Sequence, residues 1–195
     1  MLQPVAVVLV DYYQARQNAV YLAQQSTVTT VGSRVAVVYY SRSGNTAVMA
    51  QRIAQRTRAT LYRLEAPDYQ IGLIGWAKAL VDARKHEAVI SPSAIDLSAY
   101  DSVYLGSPIW MYSPAPPIWQ FVDLNRFDTK HVVLFNTFNS KFEPEYIDAF
   151  KGRVMERGAR SFEHRYIRRG RMGQQLSREE LLQAVDAMWP DMSAR

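Results

Sequence analysis

The sequence predicts an α/β fold, a doubly wound five-stranded parallel sheet in the order 2-1-3-4-5 with helices on both faces. Three observations carry this. From Arg34 onward, strand-like and helix-like segments alternate five times, and a β-α alternation of this kind needs crossover helices and a parallel sheet. The first, third and fourth strand segments are apolar throughout, as strands covered on both faces must be. The second and fifth mix polar residues in (Arg63 and Glu65; Glu163 and Arg165), which suits the edges of the sheet.

Taken in order, Val35–Tyr40 is the first strand, a continuous apolar run. A helix over Thr46–Arg56 follows, with Met49 and Ile53 four apart on one face. Leu61–Glu65 is the second strand and Leu73–Arg84 the second helix. Ser102–Gly106 is a short apolar third strand, and Pro117–Leu124 a short helix that turns Ile118, Phe121 and Val122 inward. Val132–Thr137 is the fourth strand. Glu143–Arg157 is a helix with Pro144 in its first turn, Ile147, Phe150 and Val154 on one face, and Gly158 at its end. Arg160–Ile167 is the fifth strand. The capping box Ser177-x-x-Glu180 opens the last helix, which is expected to bury Leu181, Val185 and Met188.

Ahead of this domain (residues 34–195) lies an extension, residues 1–33. Residues 2–10 are apolar but too short to span a bilayer, Asp11–Gln25 reads as a polar-rich helix, and Ser26–Ser33 as a linker. A helix packed on the domain is the expectation, with contact between this N-terminal segment and a membrane surface as the alternative. Nothing resembling a secretory leader precedes Asp11, so the expected location is the cytoplasm.

The chain of 195 residues is 48% hydrophobic and 21% charged, enough for one domain with a full core. It has no cysteine, which removes disulfides, thiolate metal sites and a cysteine nucleophile. His86, His131 and His164 are far apart and form no ligand pair. The net charge of +5 is concentrated: residues 151–171 hold eight basic residues against two acids. Such a segment is either a solvated face or a seat for an anionic partner, with Arg168, Arg169 and Arg171 as the candidate cluster past the fifth strand.

In the 2-1-3-4-5 order the direction in which strands are added reverses between strands 1 and 3, and ligands bind past their carboxyl ends. There the first strand runs into Ser41-Arg42-Ser43-Gly44-Asn45-Thr46 and then a helix. Small hydroxyl residues and a glycine let several N–H groups converge, and the helix dipole adds positive potential, so the loop suits a phosphate. It lacks the Gly-Lys-Ser/Thr of a triphosphate-binding loop and the Gly-x-Gly-x-x-Gly of a dinucleotide site. Past the third strand, Gly106-Ser107 leads into Pro108, Ile109, Trp110, Met111 and Tyr112, with further prolines at 114, 116 and 117. Trp110 and Tyr112 are large flat rings that either stack on a planar heteroaromatic ligand or fold back on the core.

The stretch VVYYSRSGNT followed by YDSVYLGSPIWMYSPAPP resembles the flavodoxin family, especially its short bacterial members, over about residues 34–190. The resemblance implies a flavodoxin-like fold and an FMN cofactor. It implies that Ser41 through Thr46 surround the FMN phosphate and that Pro108 through Tyr112 line the isoalloxazine. It matches the family's third loop to Thr137, Phe138, Asn139 and Ser140, with Lys141 and Phe142 beyond, although members often place glycines there and this loop has none. The missing cysteine sets the chain apart from the low-molecular-weight tyrosine phosphatases, and Gly106-Ser107 occupies the place of a response regulator's phospho-acceptor aspartate.

The function implied is that of an electron-transfer flavoprotein serving a redox partner protein. The alternative is a reductase that takes hydride from NAD(P)H and passes electrons to a quinone or similar acceptor. The family's carriers are typically acidic, whereas this chain is basic, and Arg42 and Lys141 near the ring would stabilise an anionic reduced flavin. No residue stands out as a catalytic acid, base or nucleophile, and neither a metal site nor a nucleic-acid partner is expected.

Overall fold

A computed structural model describes residues 3–25, 32–170 and 174–189. Helix α1 (Gln3–Ala23) precedes β1 (Val35–Tyr40), α2 (Asn45–Thr57), β2 (Thr60–Leu64) and α3 (Leu73–Asp82). Then come β3 (Ser102–Trp110), the two-residue β4 (Ser113–Pro114), α4 (Pro116–Leu124), β5 (His131–Phe138), α5 (Pro144–Glu156), β6 (Ser161–Arg168) and α6 (Arg178–Met188). The sheet runs β2-β1-β3-β5-β6, every neighbour pair in it parallel. Apart from β4, which pairs antiparallel with the end of β3, this is the order read from the sequence. The edge strands are β2 and β6, the two that mix polar residues in.

Alternation along the central strands feeds two cores. Ala36, Val38, Val103, Leu105, Val132 and Leu134 face α4 and α5, where they meet Ile118, Phe121, Val122, Ile147, Phe150 and Val154. Val37, Tyr39, Val133, Phe135 and Ile167 face the other way, onto Val48, Met49 and Ile53 of α2 and Leu181 and Val185 of α6. Phe121, Phe135, Phe150 and Ile53 are fully buried, each stabilising the fold by roughly 1.5–3 kcal/mol relative to exposure. The capping box is present: Glu180 N–H donates to the Ser177 hydroxyl at 3.2 Å, and Ser177 N–H donates to the Glu180 carboxylate at 2.7 Å.

Several boundaries differ from the sequence expectation. Residues 3–10 are not separate from the polar helix after them; they form its first turns, and no helix among the described residues is long and apolar enough to cross a membrane. The expected linker lies mostly outside the described residues. Met188 is exposed, because α6 needs only Leu181 and Val185 to cover this edge of the sheet. Strand β3 continues past Gly106 to Trp110, carrying Pro108 into the sheet.

Helix α1 packs on α2 and α3, with Tyr21 and Leu22 against the α2 core. It lies directly against the turn that leaves β1, and this contact shapes the site.

Candidate functional site

Three turns meet at the carboxyl ends of β1, β3 and β5 and enclose a cleft of about 340 Å³, near the lower end of the roughly 300–1,000 Å³ typical of small-molecule sites. The first turn brings Ser41, Arg42, Ser43, Asn45 and Thr46 to the cleft. Gly44 does not line it; this glycine stands at the N-cap of α2 with φ +86°, and its conformation turns the chain into the helix. The first bond within α2 runs from Val48 N–H to the Gly44 carbonyl at 2.9 Å. The amides of Asn45, Thr46 and Ala47 are therefore left over at the helix N-terminus, where an anion is favoured. Thr46 is buried and its hydroxyl lies 2.8 Å from that of Thr137, which ties this turn to the end of β5.

The second turn brings Pro108, Ile109, Trp110, Met111 and Tyr112 to the same cleft. It is a hairpin and not a flexible loop: Ile109 pairs with Pro114 and Trp110 with Ser113 across β3 and β4. Met111 and Tyr112 are its two central residues, with φ of +42° and +78°. A two-residue turn with both central φ values positive matches the twist of a hairpin but is strained for residues other than glycine and asparagine. The Trp110 ring meets Tyr40 edge-on at 5.6 Å and Tyr69 at 5.2 Å. It thus belongs partly to the core, yet borders the cleft. Burial pushes the hydroxyls of Tyr40 and Tyr69 upward in pKa, so both stay neutral.

The third turn contributes Thr137, Phe138, Asn139, Ser140 and Lys141. Glu143 N–H donates to the Tyr112 carbonyl at 3.1 Å and joins it to the second turn. The glycines missing here are replaced by an aromatic brace in which Phe138 and Phe142 pack edge-on at 5.5 Å and Phe142 rests on Tyr166 at 5.0 Å.

Sequence reasoning missed other walls. Trp76, Ala79 and Leu80 of α3 form an apolar side, and Asp11 of α1 enters from the extension. Asp11 forms an ion pair with Arg42. Burial raises the Asp11 carboxyl above its ordinary value, against the pull of Arg42. Asn18 donates to the Ser43 carbonyl at 2.9 Å and to the Asn45 side-chain oxygen at 2.9 Å, and Asn45 donates to Gln14 at 3.0 Å. The only signal for α1 in the sequence is helical length, because its partners are 25–31 residues away.

Among the described residues, three cations border the cleft. Arg42 is compensated by Asp11, and Lys141 is paired with Glu143 at 2.5 Å while standing 5.0 Å over the Tyr112 ring. The positive charge expected near the ring from these two residues is therefore largely neutralised. The third cation is Arg169. Read from the sequence as one member of a cluster that is either a solvated face or a seat for an anion, it is 8% exposed and lines the cleft, while Arg168 is exposed and Arg171 lies outside the described residues. Arg168 and Arg169 thus do not share one surface, because the strand turns consecutive side chains to opposite sides. The cleft is polar at the first turn and at Arg169 and apolar along α3 and the second turn, a shape for a molecule with an anionic end and a flat ring.

The sequence profile of the family described as flavodoxin matches residues 34–148. The chain belongs to the flavodoxin family. Its solved structural neighbours agree on the fold. A protein designated a flavoprotein from Bacteroides uniformis is 21% identical, with a TM-score of 0.60, over 80% of this chain and 99% of that one. A similarly designated protein from Bacteroides eggerthii is 18% identical, with a TM-score of 0.60, over 80% and 98%. A flavoprotein from Lactobacillus acidophilus, solved in complex with FMN, is 22% identical, with a TM-score of 0.53, over 68% and 93%. A search of curated protein sequences gave no match. Asp11 and Arg169 both lie outside the matched residues, yet both reach the cleft.

Proposed function

We propose that the chain binds FMN in this cleft and uses it to carry electrons to or from a redox partner protein. The observation that supports this best is the convergence of the three turns on one cleft that is polar at the α2 N-terminus and apolar at the β3–β4 hairpin. The buried, unpartnered guanidinium nitrogens at the polar end suit a phosphate. Bound FMN would supply the redox chemistry, and the protein sets its pose and potential. The residues Ser41, Ser43, Asn45 and Thr46 would hold the phosphate, with Arg42 behind them on its ion pair with Asp11. Ile109, Trp110, Met111 and Tyr112 would flank the ring, Trp76 and Leu80 would keep water from its apolar side, and Thr137 through Ser140 would close the far edge. Asp11, the acid that borders the cleft, is engaged by Arg42, which fits a site that positions a cofactor and does not itself transfer protons.

A second reading is a reductase that accepts hydride from NAD(P)H and reduces a quinone or similar acceptor. The net charge of +5 favours it, since an anionic nicotinamide donor is drawn to a basic molecule. Titration of the purified chain with FMN, followed by stopped-flow mixing with NADH and NADPH, separates the two. Tight binding of FMN with negligible direct reduction supports the carrier. Fast, saturable reduction by either nucleotide supports the reductase, and failure to bind FMN removes both.

A further inference from the structure

We propose that Arg169 binds the phosphate of FMN through its guanidinium, as the one cleft cation, among the described residues, that no carboxylate neutralises. This rests on the FMN reading above. The Arg169 side chain is 8% exposed, and its Nε and Nη1 are buried without a hydrogen-bond partner. Only Nη2 is engaged, donating to the Leu176 carbonyl at 3.1 Å. A cation held that way is costly, because burial removes water and nothing replaces it. An arginine donates as a fork to two oxygens of one phosphate, from its Nε–Nη2 edge or its Nη1–Nη2 end, so a phosphate would give one of the two orphaned nitrogens a partner together with the second Nη2 hydrogen.

The backbone directs the fork to the phosphate end of the cleft. Arg169 N–H donates to the Phe138 carbonyl at 2.7 Å, which continues the β5–β6 ladder by one residue. Side chains alternate along it, so Arg169 falls on the same face as Ile167. Ile167 packs in the core that α2 and α6 cover together, so Arg169 stands one step further toward the sheet edge at which α2 begins. The Thr46–Thr137 hydroxyl contact ties α2 to the neighbouring strand, where Thr137 pairs with Ile167. The backbone around the arginine is fixed locally: Gly170 has φ +92°, and Leu176 N–H returns to the Arg169 carbonyl at 2.7 Å. A cation buried this deeply cannot meet the surface of a second macromolecule, but a small anion inside the cleft can reach it.

The test compares FMN with riboflavin, which has the same ring and no phosphate, on the purified full-length chain after flavin removal. In Arg169→Gln, the FMN dissociation constant should rise roughly 10- to 100-fold, the range of a lost hydrogen bond to a charged group, while riboflavin affinity stays within about twofold, which shows the fold and ring site intact. Equal weakening of both flavins would assign Arg169 a structural role and overturn the proposal, as would unchanged FMN affinity. Should Arg169→Gln not fold, Arg169→Lys carries the same test. A point charge replaces the fork, and the preference for FMN over riboflavin should fall several-fold; an unchanged preference overturns the proposal. A wild-type chain that binds riboflavin as tightly as FMN also overturns it while leaving a flavin function standing. Binding of neither flavin overturns the function and this inference together.

Discussion

Gly44 shows how a residue can be read correctly for an incomplete reason. In the sequence it marks a turn that lets backbone N–H groups approach a phosphate. In the structure its positive φ is used, but the space above it is filled by α1: a Cβ there would stand 2.5 Å from the Cβ of Asn18. Asn18 is 7% exposed and donates to the Ser43 carbonyl and the Asn45 side chain, so α1 holds the outer wall of the phosphate turn. Asn18→Ala should leave two acceptors without a donor and lower stability by about 1–3 kcal/mol. Because the same turn binds the anion, FMN affinity should fall with it. Urea unfolding and flavin titration of the variant measure the two effects. Unchanged values in both would mean that α1 merely rests on the domain. Arg42, singled out for its positive charge, is likewise altered by α1, since Asp11 neutralises it. Neither contact was legible, because pairing between residues 25–31 positions apart leaves no local pattern.

The strands and crossover helices were legible as elements because each has a simple physical cause: continuous apolar runs where a strand is covered on both faces, and apolar spacing of three and four where a helix is covered on one. The β3–β4 hairpin was not. Its turn residues are Met111 and Tyr112, where such turns ordinarily use asparagine and glycine, so the composition carries no signal and the prolines around it suggest a loop. Strain of this kind, of order 1–3 kcal/mol per residue, persists where surrounding structure enforces it and where side chains at the turn serve a site. Met111 is 45% exposed, so packing alone does not explain its presence. Met111→Gly should relieve the backbone and raise stability by about 1 kcal/mol in thermal or urea unfolding. It should also remove a side chain from the cleft wall and weaken FMN. A gain in stability with no loss of flavin affinity would mean that the strained turn serves the hairpin and not the ligand.

On the scale of the whole molecule, the sheet and the position of the cleft followed from the order of its strands, whereas a polar bridge through the sheet did not. His164 on β6 contacts the Asn136 side-chain oxygen on β5 at 2.8 Å, and Asn136 donates to the Ser107 carbonyl on β3 at 2.7 Å. The bridge runs beneath the cleft, with Phe142 at 5.0 Å and Tyr166 at 5.4 Å from the imidazole. Burial lowers the His164 pKa to about 4. Burial also lowers His86, whose ring stacks on Trp119 at 3.8 Å. In the unfolded chain a histidine takes up its proton near pH ~6.5, so acidification favours unfolding from there down to the folded value. The stability from keeping His164 neutral is fully present above about pH 6.5 and is lost as the pH falls toward about 4. For His164 alone, moving from pH 7.5 to 5 should cost on the order of 2 kcal/mol. The carboxylates lowered by their partners, among them Asp101 beside Arg34 and Asp186 beside Arg52, give up their contribution at lower pH, near and below the ordinary carboxylate range. Asp11, raised by burial, works in the opposite direction. His164→Gln isolates the histidine. Urea unfolding at pH 7.5 and at pH 5 should show a variant less stable than wild type at the higher pH but with a smaller acid-induced loss. A variant that loses as much stability as wild type between the two would place the acid sensitivity elsewhere in the chain.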